Sequence, residues 1–135
     1  MTVAASFEIE YLQYLKPDGT LAAPLPPAVG NASTLLPLFK QMLFVRTFDT
    51  KAIALQRTGK LGTYAACLGH EATHVGIGAS MRPGDVYAPS YREYGAMFMR
   101  GVKPRDVLMY WGGDERGNDF EIPRNDYPWC VPKSI

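Results

Sequence analysis

One long run of apolar residues at helical spacing dominates this sequence of 135 residues. The run begins just after Ser33 or Thr34, either of which can cap a helix, and Pro37 falls in the first turn, where its missing N–H costs little. Gly59 ends the run. Its apolar positions are Leu35, Leu38, Phe39, Met42, Val45, Phe48, Ala52 and Leu55. We therefore predict a helix over 34–58, the most clearly marked element in the chain.

Turn residues and caps indicate three shorter helices. The stretch from residue 69 or 70 to 81 is rich in Ala, Gly and Ser, so we expect another backbone to approach it closely in a core or interface. Ser90 can cap a helix from residue 91 or 92 to 100. Pro104 fits the first turn of a further helix that ends at 112–113, and beyond it the chain shows no periodicity.

Strand signals are weak and lie mostly near the start of the chain. Residues 7–15 alternate partly at period 2, which suggests a short strand, and 16–19 read as a turn. Residues 21–32 are rich in proline and therefore extended. We interpret 1–33 as an arm that needs another surface to lie on, because it carries many large apolar residues; a disordered tail is the alternative. A second short strand is predicted over 86–88.

Composition limits the classes of protein to consider. The chain is 47% hydrophobic and 20% charged, which is typical of a globular protein. A net charge of +1 argues against a general nucleic-acid binder, and no apolar run approaches the roughly 18 residues that a membrane span needs. Cys67 and Cys130 do not make a disulfide framework. Since the first residues resemble neither a signal nor a transit peptide, we expect a cytoplasmic location.

Residues 70–74 match H-E-x-x-H, a pattern that can bind zinc through both histidines, with the glutamate as general base. Glu93 is a conceivable third ligand. The chain has only two histidines, which excludes the extended His-rich variant of the motif. The motif also follows Gly69 at a predicted helix start, and Gly76 and Gly78 weaken the helix that would hold the ligands. A zinc hydrolase is thus an alternative hypothesis.

The segment Ser90-Tyr91-Arg92-Glu93 stands between the predicted strand and a predicted helix. Backbone N–H groups at a helix start attract anions, and an arginine fork and a tyrosine hydroxyl would add further donors. The segment is therefore a plausible phosphate-binding corner. The alternative is a surface arginine beside a packed tyrosine.

From Leu43 to Val107 the chain resembles the α subunit of the thiamine diphosphate-dependent 2-oxo acid dehydrogenases, the E1 component. Three segments carry the resemblance in order: LFVRTFDTKAIALQRTGKLGTY, CLGHEATHVGIGASMRPGDVYAPSYREYGA and RGVKPRDVL. The arm and the later stretch YWGGDERGNDF resemble the bacterial pyruvate dehydrogenase branch of that family. In this family the GHEAT segment is a helix start that holds no zinc.

The resemblance implies particular site residues. Tyr91 and Arg92 would contact the diphosphate of the cofactor, with Ser90 as a weaker candidate. Tyr64 would form part of the substrate-pocket wall. Some members carry a histidine at the position of Ala65, and this chain does not. The activating glutamate of the family comes from the β subunit, so no catalytic residue is assigned here.

The resemblance implies oxidative decarboxylation of a 2-oxo acid, followed by acyl transfer to lipoyl-E2. The branch resemblance favours pyruvate as the substrate, and a branched-chain 2-oxo acid is the alternative. The expected partners are an E1 β subunit, a second α subunit in an α2β2 assembly, and E2. The expected cofactors are thiamine diphosphate and magnesium. The Gly-Asp-Gly motif that carries magnesium ligands in the family does not occur in this sequence, so those ligands are not in this chain.

The resemblance also implies an α/β fold, here truncated before its main sheet. We expect residues 34–135 to be the N-terminal portion of the thiamine diphosphate-binding domain, mainly helical with one or two short strands. Such a piece is expected to be inactive alone. A non-catalytic subunit-interaction module is a further alternative, because the small-residue helix over 70–81 and the proline-rich arm both suit docking.

Overall fold

The computed structural model describes residues 2–27, 29–82 and 84–118, and these are mainly helical. The chain divides into two compact units, Met1–Leu35 and Leu36–Ile135. The helices are α1 (Ala32–Arg57), α2 (Glu71–Ser80), α3 (Tyr94–Met99) and α4 (Pro104–Trp111), followed by a 3-10 turn at Glu115–Asn118. None of the described helices is long and apolar enough to cross a membrane.

The first unit contains a turn but no strand among its described residues. The turn predicted at 16–19 is confirmed: Gly19 has a φ of 82° and donates its N–H to the Lys16 carbonyl over 2.9 Å. An isolated antiparallel bridge joins Leu15 and Leu21. The strand predicted over 7–15 is wrong, since 7–13 make no ladder with another described segment. Partial alternation cannot form a strand without a partner for its N–H and C=O groups.

Helix α1 confirms the long periodic run, but it is capped by a different residue. The side-chain oxygen of Asn31 accepts the Ser33 N–H over 2.9 Å, so the prediction of Ser33 or Thr34 as cap is wrong. The helix therefore begins earlier, at Ala32. Gly59, with a φ of 72°, follows its end as predicted.

The core of the second unit forms where the apolar face of α1 meets the later elements. Its buried hydrophobic residues are Val45, Phe48, Ala52, Leu61, Cys67, Val75, Tyr94, Ala96, Val102 and Val107. Within it, α2 and α3 pack closely through glycines. A Cβ at Gly78 would lie 2.5 Å from the Cβ of Met99, and one at Gly95 would lie 2.6 Å from the Cβ of His74. The predicted close backbone approach at the small-residue helix is thus confirmed.

Helix α3 starts later than the sequence predicts. The Glu93 carboxylate accepts the N–H groups of Tyr91 and Arg92 over 3.0 and 3.1 Å, and the helix begins only at Tyr94. Ser90 is therefore not its cap. The strand predicted over 86–88 is also wrong, because only Tyr87 makes a bridge there. Helix α4 begins at Pro104 as predicted.

The described residues therefore confirm the mainly helical part of the predicted fold class, while the predicted short strands do not form. The polar stretch after Asn118 lies outside the described residues.

Candidate functional site

A buried carboxylate on α1 anchors the segment between α1 and α2. Asp49 is fully buried, and its Oδ1 accepts both the Tyr64 hydroxyl over 2.8 Å and the Cys67 N–H over 2.9 Å. Its second oxygen, Oδ2, is buried and finds no hydrogen-bond partner among the described residues. Since Tyr64 and Cys67 bind the same oxygen, the segment 64–67 is held against α1 at both its ends.

The same segment is bound from its other side by residues 92–94. The Tyr94 hydroxyl donates to the Ala65 carbonyl over 3.0 Å, and the Arg92 guanidinium donates to the Ala66 carbonyl over 3.3 Å. The rings of Tyr64 and Tyr94 stack with centroids 5.6 Å apart. Two consecutive carbonyls are thereby fixed, and Arg92 is tied to the segment that Asp49 anchors.

The described residues that orient the Arg92 side chain are neutral. One terminal nitrogen donates to the Tyr91 hydroxyl over 2.8 Å, and the guanidinium carbon lies 4.7 Å from the centroid of the Tyr91 ring. Among the described residues no carboxylate forms an ion pair with Arg92. Its positive charge is therefore not neutralised by this part of the chain, and most of its five N–H donors remain available to an anion. Tyr91 itself is 55% exposed.

Tyr64 is a neutral hydrogen-bond donor in this arrangement. Burial raises the pKa of its hydroxyl, and the bond to Asp49 raises it further. Burial is also the main cause that raises the pKa of the Cys67 thiol to about 12, with the Asp49 charge adding to it. A thiol held in its protonated form is a poor nucleophile, so Cys67 serves in the core.

Of the H-E-x-x-H residues, Glu71 has structural partners, whereas the buried Nδ1 of His74 has no hydrogen-bond partner among the described residues. Glu71 pairs with Arg46 at 2.5 Å and accepts the Gly69 N–H over 3.1 Å, and the arginine holds the pKa of this carboxyl at about 2. His74 is buried under α3, and burial lowers its pKa. Glu93, the conceivable third ligand, is occupied by backbone N–H groups. Within the described ranges no three His, Cys, Asp or Glu side chains form a group that could hold a metal ion.

The structure thus brings three of the four predicted site residues to one place. Arg92, Tyr91 and Tyr64 meet around the segment 64–67, whereas Ser90 is exposed and makes no hydrogen bond to this group. Sequence reasoning missed Asp49. The available signal was its position, because Asp49 falls between Phe48 and Ala52 on the apolar face of α1, where a charged residue is unusual.

Comparison with known proteins shows the relatives of this chain. A model of the family described as dehydrogenase E1 component matches residues 39–121. The chain is 42% identical to the α subunit of the pyruvate dehydrogenase E1 component of Acholeplasma laidlawii, over 63% of this chain and 25% of the relative. It is 37% identical to the α subunit of 3-methyl-2-oxobutanoate dehydrogenase of Mycobacterium tuberculosis, over 94% of this chain and 35% of the relative.

A third relative is the pyruvate dehydrogenase E1 α subunit of Mycoplasma pneumoniae, 34% identical over 82% of this chain and 31% of the relative. The chain therefore spans a quarter to about a third of the length of these curated relatives. The family match covers more than half of the chain and includes Asp49, the segment 64–67 and Arg92. The chain belongs to the dehydrogenase E1 component family.

Proposed function

We propose that this chain forms the N-terminal part of the α subunit of a 2-oxo acid dehydrogenase E1 component and holds the diphosphate of thiamine diphosphate through Arg92 and Tyr91. The observation that carries the proposal is the Arg92 guanidinium, which is fixed by a carbonyl and a tyrosine but has no carboxylate partner among the described residues. A fixed guanidinium with free donors suits a phosphate group, which accepts two parallel N–H bonds.

The donor set fits the anionic end of this cofactor. Arg92 supplies charge and the N–H fork, and the exposed Tyr91 packs under the guanidinium and limits its rotation. Ser90 is a weaker candidate ligand beside them. When bound, thiamine diphosphate supplies the carbon nucleophile and the electron sink that decarboxylation of a 2-oxo acid requires. Magnesium would be held by residues outside this chain.

Tyr64 and Asp49 would shape the substrate side of the site. Tyr64 would form part of the wall on the substrate side, as a neutral tyrosine held by Asp49. Pyruvate is the substrate we favour, since relatives named for pyruvate dehydrogenase match this chain. A relative named for 3-methyl-2-oxobutanoate dehydrogenase makes a branched 2-oxo acid the second choice. We assign the protein to the cytoplasm.

Assembly with other subunits is part of the proposal. The partners would be an E1 β subunit, a second α subunit and a lipoyl-bearing E2. Exposed apolar residues along α1, with between 43% and 54% of their surface accessible, are the kind of surface that a subunit interface covers. They are Leu36, Phe39, Leu43 and Phe44. The same surface would serve the alternative role, a non-catalytic interaction module.

The test uses the α subunit that carries this sequence, assembled with its β subunit, and measures thiamine diphosphate affinity by calorimetry. Loss of a charge-assisted hydrogen bond costs about 1.5–3 kcal/mol, so Arg92→Ala should weaken binding by about tenfold to a hundredfold. Arg105→Ala is the matched control, because the side chain of Arg105 is 67% exposed at the start of α4. Equal affinity in the Arg92 and Arg105 variants would refute the phosphate assignment. An interaction module would form the assembly without binding the cofactor at all.

A further inference from the structure

The buried carboxylate of α1 is connected to Arg92 by an unbroken series of hydrogen bonds. Asp49 Oδ1 holds the Tyr64 hydroxyl and the Cys67 N–H, and the Ala66 carbonyl between them accepts from the Arg92 guanidinium. No other side chain among the described residues bonds to the segment 64–67 from α1. The position of the Ala66 carbonyl, and with it the direction of the Arg92 fork, therefore depends on Asp49.

Asp49 is also an unusual residue to find at this place. It is 0% exposed on a helix face that otherwise buries Val45, Phe48 and Ala52. Its Oδ2 is buried and has no hydrogen-bond partner among the described residues, and a buried polar atom without a partner costs free energy. An apolar residue would fill the same face of α1 without that cost. Such a costly group in a core is typical of a site kept for function.

We propose that Asp49 is a positioning residue for the cofactor and substrate site: by binding Tyr64 and Cys67 it sets the segment 64–67, which in turn orients Arg92 and presents Tyr64. The proposal rests on the proposed function for the identity of the ligand, thiamine diphosphate. The anchoring of the segment 64–67 is inferred from its hydrogen bonds to Asp49 alone. Asp49 does not touch the ligand in this scheme and is not a catalytic residue.

Three variants distinguish the hydrogen bonds of Asp49 from its contribution to core packing. Asp49→Ala removes both hydrogen bonds. Asp49→Asn keeps an acceptor oxygen for both and places an amide nitrogen at the position of Oδ2. Val45→Ala is the matched control: Val45 is fully buried one turn earlier on α1, and its side chain makes no hydrogen bond to the segment.

The first measurement reports whether the segment 64–67 stays anchored, and it does not depend on enzyme activity. Cys67 is fully buried and its thiol has a pKa raised to about 12, so alkylation at pH 8 is slow in the folded protein. Peptide mapping of the α subunit, assembled with its β subunit, gives the alkylation rate of Cys67 by itself. We expect Cys67 to react about tenfold faster in Asp49→Ala than in Val45→Ala. The two variants are compared at denaturant concentrations at which their free energies of unfolding are equal. Asp49→Asn also loses the charge that helps to raise the thiol pKa, but it keeps the acceptor, so it should react more slowly than Asp49→Ala.

The second measurement follows the ligand. In the same assemblies, Asp49→Ala should raise the Kd of thiamine diphosphate by about tenfold, and saturating cofactor should restore most of kcat. Asp49→Asn should restore the affinity, whereas a role in mere core packing would leave Asp49→Ala and Val45→Ala with the same Kd.

The outcomes distinguish this inference from the proposed function. If Cys67 reacts no faster in Asp49→Ala than in Val45→Ala, the anchoring is wrong whatever the cofactor does. If Cys67 is exposed while the Kd is unchanged, the segment is anchored but does not position the site, and the inference is overturned. If the wild-type assembly binds no thiamine diphosphate, the proposed function fails, and the positioning role toward that cofactor fails with it, while the alkylation rates still decide the anchoring.

Discussion

The crossing of α2 and α3 depends on Gly78, and an added methyl group there has a calculable cost. A Cβ at this position would lie 2.5 Å from the Cβ of Met99, 2.9 Å from its Cγ and 3.2 Å from the Cα of Ala96. Because the first contact involves a Cβ and the third a backbone atom, rotation of the Met99 side chain cannot relieve the clash. Overpacking of this kind costs about 1–3 kcal/mol, against a helix-propensity gain of about 1 kcal/mol for alanine over glycine.

Gly76 provides the matched control on the same helix. A Cβ at Gly76 would meet nothing within 4 Å, so Gly76→Ala should gain the propensity term alone and stabilise the protein by about 0.5–1 kcal/mol. Gly78→Ala should be less stable than Gly76→Ala by about 1–3 kcal/mol, the overpacking cost alone. A change of 1 kcal/mol shifts Tm by about 2–8 °C across domains of roughly 60 to 250 residues, so the two variants should differ clearly on heating.

Urea denaturation of both variants, followed by circular dichroism at 222 nm, measures the difference directly. An unchanged m-value would show that the two variants lose the same structure on unfolding. If Gly78→Ala were as stable as Gly76→Ala, α2 and α3 would not approach each other closely at Gly78.

Two further predictions concern a charge and a cap. Because Arg46 holds the pKa of Glu71 at about 2, below its ordinary 4.5, this carboxylate contributes stability that is present above pH 4.5 and lost as the pH falls toward 2. The free energy of unfolding should therefore fall less steeply over this range in Glu71→Gln, as measured by urea titration, and equal slopes would contradict the pairing. At the start of α1, Asn31→Ala should cost about 1 kcal/mol and Asn31→Ser much less. Amide exchange in the first turn measures this, and equal protection in both variants would exclude Asn31 as the cap.

The helices could be predicted because their signals are local. The apolar period of α1, the glycine at its end and Pro104 at the start of α4 each act within a turn or two of the backbone. Residues 7–15 could not be predicted in the same way, because a strand needs a partner and alternation alone does not supply one. The start of α3 was missed because the Glu93 side chain competes for the N–H groups that a cap at Ser90 would need.

The candidate site was predictable only in part. Arg92 and Tyr91 were found from a short motif and from the family resemblance, and the structure shows them in contact. Their link to Tyr64 could not be read from the sequence, because it runs through the Ala66 carbonyl, 26 residues away from Arg92, and backbone acceptors leave no signature in side-chain identity. Asp49 left a signature, its place on an apolar face, but a single acidic residue in a long helix is usually exposed to solvent.

The aromatic cluster around Phe48 has an optical consequence. Phe48 meets Tyr94 and Phe98 edge-on at centroid distances of 6.0 and 4.9 Å, and Tyr64 meets Trp111 at 5.9 Å with the rings inclined by 75°. Rings held at fixed, unequal angles in a chiral environment give near-ultraviolet circular dichroism, which is lost when packing becomes fluid while helices persist. Light absorbed by Tyr64 also reaches Trp111 by energy transfer at this distance. Tyr110 lies 5.5 Å from the same ring, so Trp111 emission reports on the packing of this aromatic cluster as a whole.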